Sequence, residues 1–289
     1  MIKVLILGTS GMLGKVIYNT LKQNKKIKVY HTGKIKRKVE LTSKINFLKF
    51  IKKNNPNLII NCIGFTNIDK CEKNKIYSKI INFKILRDLF RLKKNNKLNF
   101  DLIQISTDQF YYQKNLEKSN ENSKLFLINT YCKHKRMAEK VSLKNKALVL
   151  RTNFFGKSKS KNKSFSDWVV KSFKSNNKFN LFDDIFFNPL SMKTISKIIL
   201  QIIIKKQFIF SGIYNLGTKN GIYKNIFAKS IARKLKIYHS NYSDINVSKV
   251  LKVKRSKNMC MDVKKFEEKF NIKLPSIEKE INSEVKNYL

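Results

Sequence analysis

The chain opens on an apolar run that breaks up into glycine: Ile2 to Gly14 reads IKVLILGTSGMLG, with glycines at Gly8, Gly11 and Gly14. No polar residue interrupts Val4, Leu5, Ile6 and Leu7, which is the signature of a short strand covered on both faces. A turn must follow at once. Gly8 lets the chain reverse, Gly11 lets backbone N–H groups approach a pyrophosphate, and Gly14 lets the next helix pack closely. An anion then sits at that helix's N-terminus. The spacing is G-x-x-G-x-x-G rather than the commoner G-x-G-x-x-G, and an ordinary strand-turn-helix corner also uses glycine. Support for a dinucleotide site has to come from downstream.

Leu13, Val16, Ile17 and Leu21 give a helix from Lys15 to about Gln23, and Ile27 to Tyr30 reads as a second strand. At the end of such a strand an acidic residue would bind the adenosine ribose 2′-hydroxyl. Here the sequence is His31, Thr32, Gly33, Lys34, Ile35, Lys36, Arg37. Basic groups there suit a 2′-phosphate and point to NADPH with NADH possible; lysines placed by overall bias explain them equally well. A helix ends near Pro56, Leu58 to Gly64 (LIINCIG) is a buried strand, and Leu86, Leu89, Phe90 and Leu92 mark another helix. Phe100 to Ser106 is the next strand, ending in Ser106-Thr107-Asp108, polar residues where parallel sheets bind ligands. Alternating buried strands and helices predict an α/β fold, a parallel sheet wound on both faces.

Composition narrows the function. With 289 residues, 42% of them hydrophobic, the chain can bury a full core. The formal net charge of +43 would ordinarily suggest nucleic acid or an anionic membrane. The excess is lysine spread along the whole chain with abundant Asn and Ile, so a solvated lysine coat is expected and neither nucleic acid nor membrane is a partner. Cys62, Cys71, Cys132 and Cys260 form no C-x-x-C pair, and reduced thiols in the cytoplasm fit them. His31, His134 and His239 are scattered and build no metal site. The opening apolar run is short for a secretory signal, and no stretch reaches the ~18 uncharged apolar residues of a membrane span.

The chemical centre is NTYCKHKRMAEK, in which Tyr131 and Lys135 lie four apart, side by side on one face of a helix. A phenol with a pKa near ~10 is a poor acid at neutral pH, and an adjacent ammonium lowers it toward a useful value. In so lysine-rich a chain, the pair alone reads equally as an exposed helical couple.

The glycine turn, the Ser-Thr-Asp at a strand end and the Tyr131–Lys135 pair together resemble the extended short-chain dehydrogenase/reductase superfamily. Several segments are similar to its dTDP-4-dehydrorhamnose reductase-like sugar-nucleotide reductases: GTSGMLG, NCIGFTNIDKCE, ISTDQFYY, NTYCKHKRMAE, RTNFFG, GIYNLG and the tail RSKNMCMDVKKFEEKFNIKLPS. The likeness spans nearly the whole chain. It implies a Rossmann-type domain over residues 1–152, with 186–217 returning to it, and a smaller substrate-binding region formed by 153–185 and 218–289. It also implies roles, each at its own position. Gly8, Gly11, Met12, Leu13, Gly14, His31, Gly64, Phe65, Thr66 and Ile105 would line the cofactor. Tyr131 would be the general acid, Lys135 would hold the nicotinamide ribose and tune Tyr131, and Thr107 would bond the reacting carbonyl. Asp108, Phe154 and Asn188 would lie at the sugar.

Departures bear on which sugar is bound. Gln109 replaces an aromatic residue, Tyr111-Tyr112 replaces a phenylalanine-aspartate pair, Cys132 replaces a glycine, and Phe154 stands where relatives carry tryptophan. Lys15 argues against the magnesium site that some members form with acidic residues near the first helix. Phe165, Trp168, Val169 and Phe173 predict a core or lid helix rather than an aromatic platform, Ile195 to Ile204 a buried helix, Gly212 to Gly217 a strand, and Ile222 to Leu235 a helix. Lys249 to Ser256 reads either as a face for a nucleotide diphosphate or as a solvated basic loop. The resulting expectation is NAD(P)H-dependent reduction of a 4-keto-6-deoxy nucleotide-diphosphate sugar for surface polysaccharide, by a monomer or homodimer. A nucleotide-sugar epimerase or dehydratase, a non-catalytic NADP-binding regulatory subunit and, least favoured, a basic nucleic-acid binder are the alternatives.

Overall fold

The opening apolar run forms β1 (Ile2–Leu7), and the other strands of its sheet are β2 (Ile27–His31), β3 (Leu58–Asn61), β4 (Asp101–Ile105), β5 (Leu148–Thr152) and β6 (Gly212–Leu216). The computed structural model describes residues 1–32, 43–112, 116–175 and 177–289. The strands run parallel in the order β6-β5-β4-β3-β1-β2, with Val4 in register with both Val29 and Leu58. The α/β, doubly wound expectation therefore holds. Residues 33–42, which carry Gly33, Lys34, Lys36 and Arg37, lie outside the described residues, and so does any structural test of the basic cluster expected at a 2′-phosphate.

Both faces of the sheet are covered. Leu5, Leu7, Ile59 and Leu102 pack with Phe47, Ile51, Leu86 and Leu89 from helices Lys44–Asn54 and Ile85–Asn95. The alternate residues Val4, Ile6, Ile60 and Ile103 are fully buried too and point the opposite way. Strand order reverses between β1 and β3, so the crevice at their carboxyl ends is where such a sheet takes a ligand.

The chain forms two compact units. The first is Met1–Ser106, Asn129–Leu150 and Ser196–Ile213; the second is Thr107–Ile128, Arg151–Ile195 and Tyr214–Leu289. In the second unit three short strand pairs, Phe154–Phe155 with Leu190–Ser191, Phe179–Phe182 with Tyr242–Ile245, and Phe186–Phe187 with Ile222–Tyr223, frame a core of Phe155, Val169, Phe187, Phe227, Ile231 and Ile281. Helix Phe165–Phe173 starts in a capping box between Ser164 and Asp167 and buries Val169 and Phe173, which makes it a core helix; Trp168 stays 39% exposed.

Of the boundaries that differ from the sequence reading, three have a local reason. The first helix begins at Met12, because Gly11 is its N-cap and Gly14 lies inside it. β3 stops at Asn61 rather than Gly64, since the Asn61 side chain accepts the Ile63 N–H at 3.1 Å and ends the ladder. Helix Lys224–Lys234 starts late because Ile222 and Tyr223 pair with Phe186–Phe187.

Candidate active site

In the first unit the glycine turn is tightly built. Gly8 has φ +86°, and a Cβ there would stand 3.0 Å from the Cys62 carbonyl carbon and the Ile63 nitrogen. A Cβ on Gly14 would stand 2.4 Å from the Gly8 carbonyl oxygen, so only glycine lets the helix sit down on the turn. Helix Met12–Lys22 has no side-chain cap and no acidic residue in its first turn. Its leading N–H groups, at Met12 and Leu13, have no carbonyl one turn back, the arrangement that receives an anion. His31, at the end of β2, has its Nδ1 3.2 Å from the Thr9 hydroxyl and its ring 4.6 Å from that of Tyr18. Burial, with Lys22 adding to it, lowers its pKa.

After β3, Gly64, Phe65 and Thr66 form a loop held from behind. Asn82 accepts the Phe65 N–H at 2.9 Å and donates to the Phe65 carbonyl at 3.1 Å; the Cys71 thiol donates to the same carbonyl at 3.0 Å. Asn82 sits in a π-helical turn, Ile80–Lys84, the kind of irregularity that re-aims a side chain. The sequence reading missed it; its signal is one polar residue within the apolar IINF.

Tyr131 and Lys135 both lie on helix Thr130–Lys144, whose N-cap Asn129 accepts the Cys132 N–H at 2.9 Å, while Glu72 takes the Thr130 N–H at 2.9 Å. Tyr131 is buried. The Lys135 ammonium donates to the carbonyl of Ile105, the last residue of β4, at 2.7 Å. That carbonyl also accepts Gln104 Nε2 at 2.7 Å, and the Gln104 oxygen accepts from Asn61 Nδ2 at 2.8 Å. A chain of side chains thus runs under the sheet's carboxyl edge to the lysine. One turn on, fully buried Glu139 accepts the Ser106 hydroxyl at 2.7 Å and pairs with Arg136 at 2.8 Å. Burial pulls the Lys135 pKa down to about 8 against the opposing pull of Glu139, and desolvation pushes the nearby Cys62 thiol up to about 12. Lys135 is a cation at neutral pH, deprived of water and ready for a hydroxyl or phosphate oxygen.

The second unit holds the residues expected at the sugar. Asp108 is buried; its Oδ2 accepts from Asn153 Nδ2 at 2.7 Å, and burial lifts its pKa to about 6. The Thr107 hydroxyl accepts the Gln109 N–H at 3.2 Å and points to Asp108 Oδ1 at 3.4 Å. Phe154, partly exposed, lies in the two-residue strand beside Leu190. Asn188 is wholly buried: it donates to the carbonyls of Thr218 and Met261 and accepts the Met261 N–H, so both its amide protons are held by main chain. A cavity of about 490 Å³ in the same unit brings the edge-on pair Tyr112–Phe126 together with Leu251, Lys252, Arg255 and Lys257. Aromatic faces beside cations suit a base and its phosphates. Buried Arg151 lies against the Phe110 and Tyr111 rings and donates to the Tyr111 hydroxyl at 2.6 Å; Ser256 bonds the Tyr111 carbonyl. Among the described residues no group of His, Cys, Asp and Glu could hold a metal ion, and no helix is long and apolar enough to cross a membrane.

Comparison with known proteins adds a frame. Residues 2–289 match the family described as RmlD substrate binding domain. The chain is 23% identical to a dTDP-4-dehydrorhamnose reductase of Aggregatibacter actinomycetemcomitans, over 94% of each chain. It is 21% identical to a probable low-salt glycan biosynthesis reductase of Haloferax volcanii, over 96% of this chain and 95% of that one. A crystal structure of dTDP-4-dehydrorhamnose reductase from Bacillus anthracis, in complex with NADP, superposes with a TM-score of 0.86 at 20% identity, covering 99% of this chain and all of that one.

Proposed function

The chain belongs to the RmlD substrate binding domain family, and from that premise we propose that it reduces a 4-keto-6-deoxy sugar nucleotide with NADPH, in surface polysaccharide synthesis. The observation that carries this is the Lys135 ammonium, fixed at 2.7 Å on the Ile105 carbonyl, one helical turn from Tyr131 and in the same unit as the glycine turn. In the reaction the nicotinamide supplies a hydride to the sugar carbonyl carbon, and the protein's part is to hold, orient and protonate. Gly8, Gly11, Met12, Leu13 and Gly14 receive the pyrophosphate. His31 lies at the adenosine end, and Gly64, Phe65, Thr66 and Ile105 lie along the cofactor. Lys135 holds the nicotinamide ribose and lowers the Tyr131 pKa by its charge. Tyr131 delivers the proton to the developing alkoxide, with Thr107 donating a hydrogen bond to the same oxygen.

Asp108 and Phe154 form the sugar's side of the site. Asn188, whose amide protons are held by main chain, acts by fixing the loop around Pro189. The cavity beside Arg255 takes the nucleotide. NADP in the Bacillus anthracis complex supports NADPH as the reductant, with NADH the alternative. The same reading makes the protein a cytoplasmic monomer or homodimer.

The test is to mix the protein and NADPH or NADH with a panel of keto-sugar nucleotides and follow absorbance of the reduced cofactor. Consumption of NADPH in step with one sugar is expected. A sugar converted with no net consumption would make it an epimerase or dehydratase, and cofactor binding with no conversion at all would make it a regulatory subunit.

A further inference from the structure

Three polar side chains in the first unit form a row that the reaction described above does not use. His134 stands one residue before Lys135 and three after Tyr131 on helix Thr130–Lys144, and it is buried. Its Nδ1 lies 2.9 Å from the hydroxyl of Ser78, a wholly buried residue of the short helix Lys75–Lys79. The Ser78 oxygen in turn accepts from Asn82 Nδ2 at 3.3 Å, and Asn82 is the side chain that grips both the N–H and the carbonyl of Phe65. The direction of the row follows from its protons. Asn82 Nδ2 donates to Ser78, so the Ser78 hydroxyl keeps its own proton, and His134 Nδ1 is the acceptor within reach. That assignment needs a neutral imidazole with its proton on Nε2. Burial, with Lys79 and Lys133 adding to it against Glu72, lowers the His134 pKa and favours the neutral ring.

The two ends of the row carry the point. One end is the helix that bears Tyr131 and Lys135; the other is the loop of Gly64, Phe65 and Thr66, which the reading above lays along the cofactor. Buried donors and acceptors have no water to turn to, so such a row fixes the distance between the elements it joins.

Resting on that reading, we propose that His134 is a positioning residue. Through Ser78 and Asn82 it holds the Phe65 loop in register with the helix of Tyr131 and Lys135, so that the loop receives the cofactor where the helix can act on it.

The experiment uses the full chain and four variants. His134→Leu removes the acceptor and strands the Ser78 hydroxyl, His134→Asn keeps a polar atom near the place of Nδ1, Ser78→Ala takes out the middle link, and Ser78→Ala combined with His134→Leu removes both partners. The double variant leaves no stranded hydroxyl, so it should melt closer to the parent than His134→Leu does. NADPH affinity is read by fluorescence titration, and the tie itself by amide hydrogen exchange at Phe65 in the protein without cofactor. Both Ser78→Ala and the double variant should bind NADPH about three- to tenfold more weakly and exchange the Phe65 amide faster by a similar factor; His134→Asn should stay within about twofold. KM for NADPH should rise with its Kd, while KM for the sugar nucleotide stays within about twofold. A merely structural role would let affinity return with the melting temperature. NADPH affinity of the double variant within about twofold of the parent would therefore overturn the proposal, as would an unchanged Phe65 exchange rate in Ser78→Ala, or a His134→Asn variant as weak as Ser78→Ala with the fold intact. A parent protein that binds NADPH but reduces no keto sugar would sink the reductase reading and leave this role to stand on the affinities. One that reduces the sugar with the double variant unimpaired would do the reverse.

Discussion

The two units build their sites by different means. In the first, the groups proposed to meet the cofactor are mostly main chain and lie within short stretches: a turn between β1 and the first helix, the loop after β3, and the end of β4 met by one helix. In the second, polar side chains from distant segments converge, Asp108 with Asn153, and Arg151 with Tyr111. A dinucleotide is the same molecule for every enzyme that uses it, and a backbone turn serves it. A sugar varies, and side chains on loops answer that variation. Damage to the first unit should therefore cost chemistry and cofactor, and damage to the second should cost substrate recognition.

The sharpest way to break that division is Tyr131→Phe, which should lower kcat by about 10²–10⁴-fold with NADPH affinity unchanged by fluorescence titration. Lys135→Met should lower kcat by about 10²-fold and also weaken NADPH, because the proposed role gives one ammonium both tasks. In the parent, kcat/KM should fall as pH rises through about 8, where free Lys135 loses its proton. Bound cofactor phosphates raise that value, so the alkaline limb of kcat should lie higher.

Gly14→Ala places a methyl 2.4 Å from the Gly8 oxygen. It should cost about 1–3 kcal/mol in chemical denaturation and weaken NADPH, with the Kd for dTDP untouched.

Asp108→Asn tests the other unit. The folded carboxyl, raised to about 6 from 3.8, holds more protons than the unfolded one between those values. Its contribution to stability falls as pH climbs through that window, and the penalty is complete above it. The variant should melt about 2–4 °C higher than the parent at pH 8 and no higher at pH 4, with a raised KM for the sugar nucleotide.

How much of this could be read from the sequence follows the same division. IKVLILGTSGMLG and the buried strands announced the sheet, because an apolar run covered on both faces has few other uses. Tyr131 and Lys135 were legible as neighbours through helical spacing. Illegible were Asn82 and Gln104, single polar residues inside apolar elements, and Glu139, one polar residue among many on a lysine-rich helix; their partners lie 17, 43 and 33 positions away. His134 was hidden in the same way, one of three scattered histidines whose partner Ser78 lies 56 positions away. Helix starts at Met12 and Lys224 were missed because a glycine cap and a strand pair decide them, and periodicity reports neither.

The most direct measurement uses NADPH carrying deuterium at the transferring nicotinamide carbon, incubated with a 4-keto sugar nucleotide, the product being read by NMR. Deuterium should appear on the former carbonyl carbon with the parent protein, and that product should all but vanish with Tyr131→Phe although the cofactor still binds. A product free of deuterium, or equal labelling by the two proteins, would contradict the account.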